Sequence, residues 1–313
     1  MSMSDSTLVV RTALALYPGR YRRERGDELA VVFADTTAEA GPVARVRELF
    51  DLGAYGLRMR TGLTSTSTGG RLAALAAPLV VGAAGGLAAG QALLRYLESE
   101  VPHMRWGLLH FLSFWGLLGA AVLSAVAALL GRWTVAKLLS GVSALAAVAD
   151  LAWEASRPGL LQPLWTFLEV FQWDGPFVLW ALVLLAAPKD VLPAPAWRER
   201  GLVLAAAVLT PVVAFADNVY TSWYHLDRQW RALMIVVPLL MVLTAVRGWY
   251  LVAVPGLAAL PWTFSVNLHA LWQQEGGAWR LLPMIVLTVA VSVALVLVGR
   301  RKGPAGPGGR QLV

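Results

Sequence analysis

Cysteine is absent from this 313-residue chain, which excludes a disulfide scaffold, a thiolate zinc site and a cysteine nucleophile. Charge is nearly as scarce. Asp, Glu, Lys and Arg make up 14% of the residues and hydrophobic side chains 58%, against roughly 25% and roughly 45–50% in soluble domains. So few polar groups cannot cover a soluble body of this size, and the composition points to a membrane protein. There are only four histidines, with no HExxH or compact His/Asp spacing, so no metal site is expected. The phosphate-binding GxxxxGK[ST] loop and the GxSxG nucleophile turn are missing too. We therefore assign no catalytic residue and no cofactor. The net charge of +7 reads as membrane orientation and gives no reason to expect nucleic acid.

The charge that is present is unevenly spread. Residues 1–71 hold 10 basic and 8 acidic side chains, and the remaining 242 residues hold 16 and 11. The first part reads as a soluble head on an apolar body. Asp5, Arg11, Arg20, Arg22, Arg23, Arg25 and Asp27 interrupt the first thirty residues, so no cleavable signal peptide is expected and the N-terminus is placed in the cytoplasm. Turn signals at Tyr17-Pro18-Gly19 and Gly41-Pro42 predict three short helices, Thr7–Leu16, Asp27–Ala40 and Val43–Met59. In the third, Val43, Val46, Phe50, Gly53 and Leu57 form one apolar stripe. The expected organisation is a three-helix cytoplasmic domain over residues 1–62 and a flexible polar linker over 63–70. A transmembrane bundle over 71–299 and a disordered Gly/Pro-rich cytoplasmic tail over 300–313 follow.

A membrane-crossing helix needs about 20 apolar residues. Such stretches fall at Leu72–Leu94, Leu108–Leu130, Val135–Trp153, Pro176–Ala187, Leu202–Val219, Ala232–Val246, Trp249–Val266 and Leu281–Val298. The expected fold class is all-α: a polytopic helical bundle of about eight spans, with six or seven as alternatives because the fourth and sixth stretches are short. Asp174-Gly175-Pro176 reads as a helix start, which makes Leu160–Trp173 a separate interfacial or re-entrant helix. Eight spans with both termini inside place 20 basic residues on the cytoplasmic face and 6 outside. The expected location is the cell membrane, with the lipid bilayer as the first partner.

Several side chains are candidates for function. Gly82, Gly86 and Gly90 recur every four residues on one face of the first span, which lets another backbone approach, within the chain or in a homo-oligomer. Glu154, Glu169, Asp174, Trp223, His225 and His269 fall near the outer face. The tryptophans there serve as interfacial anchors or, alternatively, wall an acidic-rimmed pocket for a cationic or amphipathic ligand. Asp150 and Asp217 are the ionisable groups placed within the membrane thickness, where carboxylates are costly and mark proton or cation sites unless they simply end their helices. Lys137 stands about 20 Å from Asp150 along the same helix and on roughly its opposite face, so it is not the partner of that carboxylate.

The run Tyr17-Pro18, Tyr21-Arg22 and Arg25-Gly26-Asp27-Glu28-Leu29, followed by an apolar helix with Asp35, resembles a small helical domain that precedes membrane spans in bacterial proteins. It is the permease-prefix type, similar to the signalling domain that accompanies PadR-type transcriptional regulators. In composition the Ala-, Leu- and Trp-rich remainder resembles an actinobacterial multi-pass protein. The resemblance covers about 60 residues, a fifth of the chain. It implies a cytoplasmic adaptor or regulatory domain, with Tyr17, Pro18, Tyr21, Arg22, Glu28 and Phe50 as candidate docking residues for a regulator or a transporter subunit. The first functional expectation is thus a non-enzymatic membrane protein with an adaptor domain on a sensing or transport-associated bundle. A permease or ion-coupled transporter for a cationic or amphipathic substrate is the second expectation. The third is a membrane enzyme acting on a lipid-linked substrate.

Overall fold

A computed structural model describes residues 10, 12–98, 108–156, 163–192, 196–224 and 228–273. The chain divides into two compact units, Met1–Arg71 and Leu72–Val313. Among the described residues there is no strand. The helices are α1 (Gly19–Thr37), α2 (Pro42–Thr61), α3 (Thr68–Glu98), α4 (Leu108–Leu129), α5 (Trp133–Ala155), α6 (Pro163–Ala186), α7 (Trp197–Tyr224), α8 (Arg228–Leu243) and α9 (Tyr250–Gln273).

In the first unit, α1 begins eight residues earlier than the turn signals suggested. Pro18 takes the N-cap position, and the Arg-rich segment after it is a good helix former that carries Gly26 inside the helix. Arg45 closes the other end of α1, its Nε donating to Thr37 O at 3.1 Å and its Nη2 to Ala38 O at 3.3 Å. The expected linker is short, because Ser67 already caps α3: Gly70 N donates to Ser67 Oγ at 3.0 Å.

Three helices end on the same device. Gly62, Gly131 and Gly248 have φ of 70°, 74° and 80°, a left-handed conformation that other residues adopt at a cost. At Gly131 the N–H bonds Ala128 O while Arg132 N–H bonds Ala127 O. Gly62 with Leu63 and Gly248 with Trp249 repeat the pattern. Each pair satisfies the last carbonyls of a helix and turns the chain sharply.

Among the described residues, five helical stretches are long and apolar enough to cross a membrane: Thr68–Leu97, Phe111–Leu129, Trp133–Glu154, Phe167–Ala186 and Trp197–Ala216. Leu233–Arg247 is a shorter apolar helix, and the last expected span, Leu281–Val298, lies outside the described residues. The expected helix start at Asp174 is corrected. α6 runs unbroken through Asp174-Gly175-Pro176, with Pro176 fully buried inside it. A proline inside a membrane helix is tolerated where neighbouring helices cover the freed backbone, and joining the two pieces is what makes this segment long enough to span.

Contacts between helices fix their directions. Lys137 Nζ, on α5, donates to Ala187 O just past the end of α6. Thirteen residues further along α5, Asp150 meets Asp174, thirteen residues back along α6, so the two helices are antiparallel. α4 and α5 are antiparallel as well: Ser124 bonds Ala136 O and Ser140, Ser143 bonds Leu117 O, and Ser113 bonds Asp150. α9 packs on α6 and α8, and Trp180 Nε1 donates to Ala258 O at 2.8 Å.

α3 and α7 run parallel and touch through their backbones. A Cβ on Gly82 would collide with Val203 O, one on Gly86 with Ala207 O, and one on Gly90 would stand 2.8 Å from Pro211 Cβ. The three glycines step together with three positions of α7, four residues at a time. Small residues permit this approach, and dispersion along the seam holds the pair where lipid gives no hydrophobic drive. Beyond the seam α7 turns Leu204, Val208, Val212 and Phe215 outward, as a lipid-facing helix does. Gly86→Ala is therefore expected to lower stability by about 1–3 kcal/mol through overpacking, whereas Gly119→Ala meets nothing within 4 Å. Thermal unfolding in detergent checks both. A Gly86→Ala protein that melts no lower than the Gly119→Ala protein contradicts the seam.

Candidate functional site

The inward stripe of α5 is Lys137, Ser140, Ser143, Ala147 and Asp150, all buried. The spacing of three and four residues keeps them toward the interior, and α5 is covered on two sides because α4 and α6 both pack on it. Lys137 and Asp150 are both buried for that reason, although thirteen residues separate them. Ser143 donates its hydroxyl to Leu117 O, and Ser140 bonds the hydroxyl of Ser124, which also meets Ala136 O, so the serines tie α4 to α5. Lys137 Nζ bonds the carbonyl of Ala187, at the negative end of the α6 dipole.

At the opposite end of the stripe, Asp150 is 3% exposed and Asp174 4%. Their carboxyls are in hydrogen-bonding contact, with Glu154 electrostatically coupled from one turn further along α5. Ser113 Oγ donates to Asp150 Oδ1 at 2.8 Å. Asp174 Oδ2 is buried and meets no hydrogen-bond donor. Two full charges ~4 Å apart repel by about 4 kcal/mol at an effective dielectric constant of 20, and each buried charge carries several kcal/mol of desolvation besides. A carboxyl pair in this setting is therefore sensitive to any cation that reaches it. Between the pair and Ser143, α5 rises ~10 Å past a layer of Ala147, Leu117, Phe177 and Trp180, each no more than 2% exposed. That apolar layer separates the carboxyls from Ser140, Ser143 and Lys137.

Of the outer-face candidates, the structure brings Asp150, Glu154 and Asp174 together and leaves Glu169 exposed. Asp217, Trp223 and His269 lie on α7 and α9 with side chains outside the described ones, and His225 is outside the described residues. Ser113 was missed. A lone hydroxyl in an apolar helix carries no motif, and only the antiparallel pairing of α4 and α5 gives it a role. Among the described residues no three His, Asp or Glu side chains are grouped to hold a metal ion.

In the first unit, the docking candidates separate by burial. Tyr17 is 2% exposed, stacks on Tyr21 with ring centres 5.6 Å apart, and donates its hydroxyl to Leu52 O at 3.1 Å. A Cβ on Gly56 would stand 2.5 Å from its ring. Tyr17 is an internal pin between α2 and the turn before α1, not a docking surface. Arg22 and Glu28 are exposed, Pro18 and Tyr21 half-buried, and the Phe50 side chain is outside those described. Arg22, Asp27, Phe33 and Arg45 line a cavity of about 700 Å³ in this unit.

Among the described residues, fold and site together define an all-helical structure with five helices long and apolar enough to cross a membrane and a pair of buried carboxyls between two of them. Compared with protein-family models, with curated proteins and with solved structures, the chain matches none.

Burial, followed by the nearby Tyr21 and Tyr55, pushes the Tyr17 phenol up from 10.0 to about 12. The fold thus favours the neutral form. That stabilisation is whole below pH 10.0 and is lost as the pH rises through about 12. Tyr17→Phe is expected to flatten the alkaline loss of stability at the cost of one hydrogen bond, about 0.5–1.5 kcal/mol. Phenolate absorbance and melting followed between pH 8 and 12 check this; an unchanged alkaline profile in the variant contradicts it.

Proposed function

We propose that the chain is a polytopic protein of the cell membrane, about eight spans with both termini cytoplasmic, whose bundle handles a small cation at Asp150 and Asp174. The observation that carries this reading is the burial of two carboxyls from different helices against each other inside an apolar bundle. Intramembrane carboxylates are rare because they are expensive, and they mark substrate and ion pathways and proton relays. Glu154, half-buried and one turn from Asp150, supplies an approach from the end of the bundle where α5 terminates. The first unit is proposed as the docking module for a cytoplasmic regulator or transporter subunit. Its separation from the bundle as a compact unit and its Arg-lined cavity support that part.

The test is cation and proton flux into liposomes containing the purified full-length chain. Asp150→Asn and Asp174→Asn are each expected to reduce flux to the level of protein-free liposomes. Asp190→Asn, exposed on the short turn after α6, retains it. Wild-type flux in both carboxyl variants, with unaltered elution from a sizing column, overturns the assignment.

A further inference from the structure

Of the five described stretches able to span, the one in α7 is the least enclosed by its neighbours. Val203 and Ala206 are buried beside α3, and most of the remaining circumference is exposed. At 3.6 residues per turn, Trp197, Gly201, Ala205, Val208 and Val212 fall on one stripe facing away from the seam, and all five are exposed. Trp197 is 79% exposed, and a Cβ on Gly201 would meet nothing within 4 Å. The stripe therefore begins with a large aromatic ring, continues as a shallow trough over Gly201 and Ala205, and ends in valines.

Arg198 and Arg200 stand on either side of this stripe, in its first turn. Both are exposed, and neither pairs with a carboxylate among the described residues. The Arg198 guanidinium lies 5.9 Å from the centre of the Trp197 ring. Between Trp197 and Ala216 the one acidic residue is Glu199, which is half-buried and steps in line with Val203 and Ala207 on the α3 side. Two cationic groups and an aromatic ring thus crown an apolar stripe that carries no negative charge. From Gly201 to Val212 the helix rises ~16 Å, close to the ~15 Å depth of one leaflet of hydrocarbon.

We infer that this face of α7 binds one anionic phospholipid, its phosphate between Arg198 and Arg200 and its acyl chains along Gly201, Ala205, Val208 and Val212. This rests on the membrane placement proposed above and is independent of the cation site. Arginine suits the phosphate because its planar fork donates paired hydrogen bonds to such oxygens, and tryptophan rings settle at headgroup depth. A soluble phosphate would have no use for the apolar stripe. A second copy packed two-fold on this face in the same membrane would set the arginines against their own counterparts, like charge against like. The turn at Gly248 provides a contrast, since Arg247 and Trp249 are exposed there with one arginine rather than two.

Native mass spectrometry of the full-length chain, stripped of lipid and titrated in detergent with phosphatidylglycerol or phosphatidylcholine, tests the inference. The wild type should hold a first phosphatidylglycerol more tightly than phosphatidylcholine. Each arginine near anionic headgroups is worth roughly a five-fold change in binding. The double variant Arg198→Gln, Arg200→Gln should therefore weaken phosphatidylglycerol about twenty-five-fold and leave phosphatidylcholine unchanged. The double variant Arg132→Gln, Arg247→Gln, which removes the same charge from two exposed turns, should keep the preference. Gly201→Leu, whose side chain enters open space, should weaken phosphatidylglycerol by filling the trough while every charge stays. Equal affinity for the two lipids in the wild type overturns the inference. So does a preference that survives without Arg198 and Arg200, or one that falls equally without Arg132 and Arg247. A dimer that retains no lipid and is abolished by Gly201→Leu gives the face to a second copy instead. A chain that is monodisperse in buffer without detergent would discard the membrane placement and the lipid with it; one that needs detergent yet ignores the headgroup discards the lipid site alone.

Discussion

A polar group in the apolar part of a helical bundle can send its hydrogen bonds only to another helix, since neither water nor lipid will accept them. That constraint organises α4, α5 and α6. Four serines, one lysine and one aspartate on or facing α5 each reach across to a neighbour: Ser124, Ser140 and Ser143 between α4 and α5, Lys137 to the end of α6, and Asp150 to Ser113 and Asp174. The bonds keep a single antiparallel register from one end of the helices to the other. Apolar side chains alone, with no preferred partner in a bilayer, would specify register far less sharply.

The other half of the bundle is held by a different means. α3 and α7 meet through glycine faces, where the absence of side chains lets carbonyls and Cα atoms come into contact. Polar ties and glycine seams solve the same problem from opposite directions, one by directional bonds and one by packing density. They also differ in consequence. A glycine seam is fixed once formed, whereas a pair of carboxyls changes its charge, and so its mutual attraction, when a cation arrives. If α5 and α6 shift during function, the carboxyl pair is where the bundle has a reason to do so.

Much of this was legible in the residues, and what was not has a physical cause. Gly82, Gly86 and Gly90 declare a close helix contact by their period of four, but nothing in the chain names Val203, Ala207 and Pro211 as what they touch. Asp150 stands out because a carboxylate inside an apolar run is costly wherever it goes. Asp174 was placed at a helix start because Gly-Pro follows it, a sound inference in water that fails in a membrane helix, where Pro176 is covered by neighbours and the helix continues. Ser113 and Lys137 acquire their roles only from register, which is a property of pairs of helices. In the first unit, Tyr17 belongs to a motif that suggested a surface, whereas its ring is consumed against Tyr21 and Gly56.

Everything said of function rests on α5 and α6 holding Asp150 against Asp174. The absence of native cysteine makes that contact directly testable, since any introduced pair is the only pair. In the double variant Asp150→Cys, Asp174→Cys, a mild oxidant applied to the full-length chain in membranes should form an intramolecular disulfide. The pair Val142→Cys, Asp174→Cys, which puts the α5 cysteine ~12 Å along the helix on an exposed position, should not. Cross-linking of the first pair alone is the result predicted here; no cross-linking of the first pair, or equal cross-linking of both, contradicts the register and with it the site.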